Sequence, residues 1–129
     1  MADARELSPR PDTVAKTLEI AERLLEKKAD RLVAFDLDGL GTPVEAAIVV
    51  TAGSVRHAQG LADYVLDYCK QMRYEFLHME GYTVGQWILL DLNDVAVHVF
   101  LPESRDLYRL DNLWPTAPVL RDTREEGAR

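Results

Sequence analysis

Apolar positions in this chain recur with two periods, and the switches between them divide it into elements. Val14, Leu18, Ala21 and Leu25 return at helical spacing, predicting a helix over about residues 13–28 with Asp12 as its N-cap and Glu19 and Arg23 placed for an i,i+4 pair. Residues 32–37 and 46–51 are short, nearly unbroken apolar runs, as buried strands are, with a Gly/Pro loop over residues 38–44 between them. After Gly53-Ser54 the helical period returns. Ala58, Leu61, Ala62, Val65, Cys69 and Met72 form one stripe, so a long helix should lie on the sheet. A short strand is expected near residues 75–79, and Pro102 is suited to the first turn of a short final helix carrying Leu107, Leu110 and Trp114.

Residues 88–92 and 95–101 carry the clearest signal. Only Asn93-Asp94 separates them, and both residues tolerate the backbone of a tight hairpin turn. That turn pairs Leu92 with Val95, Leu90 with Val97 and Ile88 with Val99, which places six aliphatic side chains on one face. The other face pairs Asp91 with Ala96, Leu89 with His98 and Trp87 with Phe100, and sets Asp91 diagonal to His98 within reach of a hydrogen bond. Such a face either packs under a helix or binds a partner. A register slip of one residue would exchange the two faces.

The element order α-β-β-α-β-β-β-α implies an α/β sandwich around a mixed central sheet. Residues 1–11 read as a flexible arm, residues 12–114 as one domain and residues 115–129 as a polar tail, disordered over residues 121–129. With 129 residues, 47% of them hydrophobic, the chain is large enough for one genuine core. No apolar run reaches the roughly 18 residues of a membrane span, and the acidic N-terminus lacks the apolar stretch of a signal peptide. The single cysteine, Cys69, fits a reducing cytoplasm and a buried structural role. A net charge of −7 disfavours direct nucleic-acid binding and favours a basic protein partner.

Candidate chemistry is sparse. Phe35-Asp36-Leu37-Asp38-Gly39 resembles the first motif of haloacid-dehalogenase phosphatases, in which paired aspartates work with magnesium. Here Leu40 and Gly41 intervene before Thr42, and Lys70 is the only lysine after residue 28, so the rest of that apparatus is missing. Gly53-Ser54 resembles the helix-opening pair of nucleotidyltransferases, but no carboxylate pair follows it, and Ser54 is more simply an N-cap. His57, His78 and His98 lack metal-site spacing. Ser54, His98 and Asp91 make a triad on paper only, without a nucleophile elbow. No cofactor or metal is expected. Trp87 is divided between core filler and interface anchor.

Taken in order, a set of landmarks resembles one family. They are Ala34-Phe35-Asp36-Leu37, Thr51-Ala52-Gly53-Ser54, Arg56-His57, Ala62-Asp63-Tyr64-Val65, Glu80-Gly81, Trp87, Leu90-Asp91, Asp94-Val95, Val97-His98-Val99-Phe100, Arg105, Tyr108 and Leu113-Trp114. Over residues 12–114 the chain resembles the ribosomal silencing factors, also called Iojap-related proteins. Asn93 stands where that family usually has Gly, Glu45 stands near a usual Asp, and the loop of residues 39–43 and the segment 115–129 depart from the family core. The resemblance implies a nucleotidyltransferase-like fold, a homodimer of the free protein and no enzymatic turnover. It also implies binding to the large ribosomal subunit at ribosomal protein L14, which blocks joining with the small subunit and represses translation. The candidate docking face comprises Trp87, Leu89, Asp91, His98 and Phe100, with Trp87 as anchor and Glu80 as a lesser contact.

Overall fold

A computed structural model describes residues 10–125, with side chains from residue 12 onward. Helix α1 spans Arg10–Glu26 and is followed by strands β1 (Asp30–Asp36) and β2 (Ala46–Thr51). Helix α2 (Val55–Met72) leads to β3 (His78–Glu80), β4 (Trp87–Asp91) and β5 (Val95–Phe100). A short helix α3 (Pro102–Tyr108), a 3-10 turn (Leu110–Leu113) and strand β6 (Val119–Asp122) complete the chain. The six strands form one sheet in the order β3-β4-β5-β2-β1-β6. Only β2 and β5 run parallel, so the sheet is mixed, as the element order implied.

The hairpin has the register derived from its turn. Trp87 faces Phe100, Ile88 faces Val99, Leu89 faces His98, Leu90 faces Val97 and Asp91 faces Ala96. Asn93 takes the left-handed conformation the turn demands, with φ 79°, and the Leu92 N–H donates to the Val95 carbonyl at 2.8 Å. All six aliphatic side chains of the inner face are fully buried. They join Leu32, Ala34, Ile48 and Val50 under the apolar stripes of α1 and α2. Ser54 caps α2 by accepting the His57 N–H at 3.0 Å. Lys16 and Thr13 of α1 bind the two carboxylate oxygens of Asp94 at 2.7 and 3.1 Å, which ties the first helix to the hairpin turn.

The opposite face of the sheet has a smaller cover. Val33, Phe35, Ala47, Val49 and Phe100 are buried there beneath α3, the 3-10 turn and Ala117, with Leu110 and Trp114 partly buried around them. Trp114 meets Phe35 edge-on at 5.5 Å. Strand β2 is therefore buried at every position, whereas β4 alternates between fully and partly buried residues. The second cover reaches β4 only at Trp87.

Four expectations need correction. Helix α1 already begins at Arg10, so Asp12 lies in its first turn instead of capping it, and there its charge still complements the helix dipole. The arm assigned to residues 1–11 otherwise lies outside the described residues. Met72 and Leu107 end their helical stripes exposed, at 45% and 74%, because the sheet does not extend beneath them. The tail is also partly ordered: Val119–Asp122 pairs with β1 as an edge strand, and Thr123 is buried where it exchanges hydrogen bonds with Leu32. Polar composition hid it, since an edge strand buries little.

Candidate functional site

Strand alternation defines the site. Paired residues project to the same side, so His78 and Glu80 of β3 join Trp87, Leu89 and Asp91 of β4 and Ala96 and His98 of β5 on the second face. Five of the six expected site residues lie on its open part, over β3–β4–β5. Leu89, Asp91 and His98 are half-buried, Glu80 is exposed, and the half-buried Trp87 marks the border with α3.

Phe100 does not belong to the surface. It is completely buried and forms the floor beneath the indole of Trp87, with ring centres 4.8 Å apart, because α3 folds back over the end of β5. Tyr108 of α3 packs on the indole at 4.9 Å and is itself 55% exposed. Trp87 is thus both core and surface: its ring is held from two sides and its remaining edge reaches the open face. The indole N–H donates to Nδ1 of His98 at 3.2 Å, so its polar group is already satisfied.

That bond assigns the tautomer of His98. Nδ1 accepts, so the ring proton sits on Nε2. Burial pushes the pKa of His98 down to about 4, leaving the ring neutral near pH 7. The expected hydrogen bond between Asp91 and His98 is not formed. Asp91 Oδ1 accepts the Asn93 N–H at 2.9 Å, closing the turn, and Oδ2 lies 3.7 Å from Nδ1 of His78. His78 Nε2 lies 2.8 Å from Glu80. Glu80, His78 and Asp91 therefore form a polar row along the β3–β4 rim, beside the apolar patch of Leu89, Ala96 and the Trp87 edge. Such a face suits a protein surface that presents apolar and basic groups together.

Sequence reasoning passed over Tyr108 and His78. The helix starting at Pro102 was legible, but not its angle to the sheet, which decides that Tyr108 covers Trp87. His78 was detectable only through the β3–β4 register, and the short β3 carries no turn signal to fix it.

Among the described residues, the other motifs singled out in the sequence serve structural roles. Asp36 Oδ1 accepts the Asp38 N–H at 3.0 Å in a turn after β1. His57 bridges the Gly53 N–H and the Lys27 carbonyl at 3.0 and 2.9 Å, which uses both ring nitrogens to fasten α2 to the loop after α1. Ser54 is spent on its cap, so the paper triad with His98 and Asp91 does not exist. Cys69 is buried and its thiol pKa is raised, chiefly by desolvation, which keeps it protonated and inert. Among the described residues no group of three or more His, Cys, Asp or Glu is placed to hold a metal, and no helix is long and apolar enough to cross a membrane.

Comparison with known proteins adds the family. The model described as "Ribosomal silencing factor during starvation" matches residues 10–129, so the segment after residue 114 falls within the family match instead of extending beyond it. A Ribosomal silencing factor RsfS from Halalkalibacterium halodurans is 32% identical over 95 residues, covering 74% of this chain and 81% of that protein. The corresponding protein of Chromobacterium violaceum is 34% identical over 93 residues, covering 72% and 76%. The mouse protein named Mitochondrial assembly of ribosomal large subunit protein 1 is 26% identical over 70 residues, which are 52% of this chain and 31% of that one. A crystal structure of a Chromobacterium violaceum protein superposes with a TM-score of 0.74 at 32% identity, covering 81% of this chain and 85% of that one. This chain belongs to the ribosomal silencing factor family.

Proposed function

We propose that this member of the family docks on the large ribosomal subunit through the open face of β3–β4–β5, at ribosomal protein L14, and blocks joining with the small subunit by occupying that surface. The observation that carries the proposal is the half-open aromatic corner formed by Trp87, Tyr108 and His98 beside Leu89 and the carboxylates of Asp91 and Glu80. A rigid aromatic anchor next to an aliphatic patch is the usual composition of an interface hot spot. The anchor is preorganised: Phe100 and Tyr108 hold the ring before any partner arrives, which reduces the entropy lost on binding.

Electrostatics supports the same reading. The chain carries −7, and two carboxylates flank the apolar patch, so a basic protein would be steered towards this face. A face of about 800 Å² is enough for a stable complex, and obstruction requires only occupancy and steric overlap. Translation is repressed without turnover, so the activity needs no reacting group. The free protein is expected to be a homodimer. Exposed Phe76 and Leu77, next to the open edge of β3, support that part of the reading, and light scattering tests it.

Gradient sedimentation of purified subunits tests the proposal. The protein should migrate with large subunits and deplete joined particles in proportion to its occupancy. Joined particles that persist at full occupancy would overturn the blocking mechanism.

A further inference from the structure

Four arginines from separate segments converge on one open cavity of about 380 Å³, whose lining includes none of the docking-face residues. Arg31 comes from β1, Arg105 from α3, Arg109 from the end of α3 and Arg124 from the turn after β6. Asp106, Asp111 and Asn112 complete the lining. The convergence is unusual in a chain of net charge −7 with only 15 lysines and arginines.

The cations are only partly neutralised. Arg105 forms a bidentate pair with Asp111, at 2.9 and 2.6 Å, and donates to Thr51 at 3.0 Å. Arg124 pairs with Asp122 at 2.7 Å and Asp111 at 3.3 Å, and Arg31 with the exposed Asp106 at 3.2 Å. Arg109 forms no ion pair among the described residues and makes only a long bond, 3.4 Å, to the Asp106 carbonyl. Four guanidinium groups thus stand against three carboxylates. The partly buried carboxylate of Asp111 orients Arg105 and Arg124.

We infer that this cavity binds a small phosphorylated ligand, gripped through one or two phosphate groups by Arg109, Arg31 and Arg124. Planar guanidinium groups suit phosphate oxygens because they donate two parallel hydrogen bonds. The cavity volume is sufficient for a small ligand. Compactness follows from charge: an extended polyanion such as RNA gains with each phosphate it neutralises, and this pocket offers about one uncompensated charge on an otherwise acidic molecule. The dull alternative is a salt-bridge clamp that fastens α3 and β6 to β1 and binds nothing. The inference is independent of the docking reading.

Thermal unfolding and calorimetry of the full chain with millimolar pyrophosphate or ADP decide between them, using sodium chloride at matched ionic strength as reference. The ligands should raise the Tm saturably by a few degrees beyond chloride. Arg109→Asn should keep the fold, because the residue sits at φ 49° where Asn is tolerated, and should weaken binding about tenfold. Arg31→Asn, at φ 48°, is the second variant, expected to act in the same direction. No rise beyond chloride, or an equal rise in wild type and both variants, would establish the clamp. Binding of a short single-stranded RNA without binding of pyrophosphate or ADP would equally overturn the inference.

Discussion

The indole N–H of Trp87 donates to Nδ1 of His98, 3.2 Å away, across the outer face of the β4–β5 hairpin. This bond fixes the His98 tautomer and satisfies the polar group of the tryptophan. What remains for a partner is the apolar edge of the indole. Trp87→Phe should therefore retain most binding to the large subunit while lowering stability by about 1 kcal/mol, the worth of one hydrogen bond. Chemical denaturation and co-sedimentation measured on the same variant check both halves.

His98 makes stability depend on pH. Its pKa falls from 6.5 in the unfolded chain to about 4 in the fold, because burial disfavours the charged ring. Between these values the unfolded chain binds the extra proton, so stability rises with pH. The contribution is fully present above pH 6.5 and is lost as pH falls towards 4, a change of about 3 kcal/mol. His98→Gln, which can still accept the indole N–H, should flatten the profile within this window. An unchanged slope from pH 6.5 to 4 would show that another group is responsible. The carboxylates of Asp111 and Asp122 have lowered pKa values, and each therefore adds its own loss of stability on acidification.

Arg105 is 2% exposed and joined to Asp111 through two hydrogen bonds. Arg105→Ala would leave that carboxylate with Arg124 alone and vacate the space beside Thr51, at a cost of about 3 kcal/mol. Arg105→Lys should recover less than half of the loss, since an ammonium cannot make the bidentate contact. Urea midpoints of the two variants measure this.

Gly81 has φ +82°, and a β-carbon there would fall on the carbonyl oxygen of Trp87. Gly81→Ala should therefore strain the β3–β4 turn and displace the head of β4, costing about 2 kcal/mol or more. Tryptophan fluorescence should shift along with the drop in Tm. An unshifted spectrum with native stability would contradict the close packing.

Particular residues show what the sequence could and could not reveal. Asn93-Asp94 between two β-rich runs specified the register of the hairpin, and with it which side chains flank Trp87, because period-two alternation leaves no freedom once the turn is set. The stripe from Ala58 to Cys69 likewise specified the buried side of α2. Asp94 looked like a turn former only, and its link to Lys16 depends on how α1 lies across the sheet. Phe100 appeared to be a surface residue because both neighbours on its face, His98 and Trp87, remain partly open, while the fold of α3 is set by long-range packing. The open face was legible as a face, but not the extent of its cover.

The account rests on the open half of the β3–β4–β5 sheet being the ribosome-docking surface. Leu89 is half-buried at its centre, and Leu89→Arg puts a cation there while the inner core stays intact. Equilibrium co-sedimentation of this variant with purified large subunits, alongside circular dichroism and Tm, is the most direct measurement. The account predicts an unchanged fold and affinity reduced at least about tenfold, as expected when a charge enters an interface core. A folded Leu89→Arg protein that binds large subunits as tightly as the wild type would contradict it.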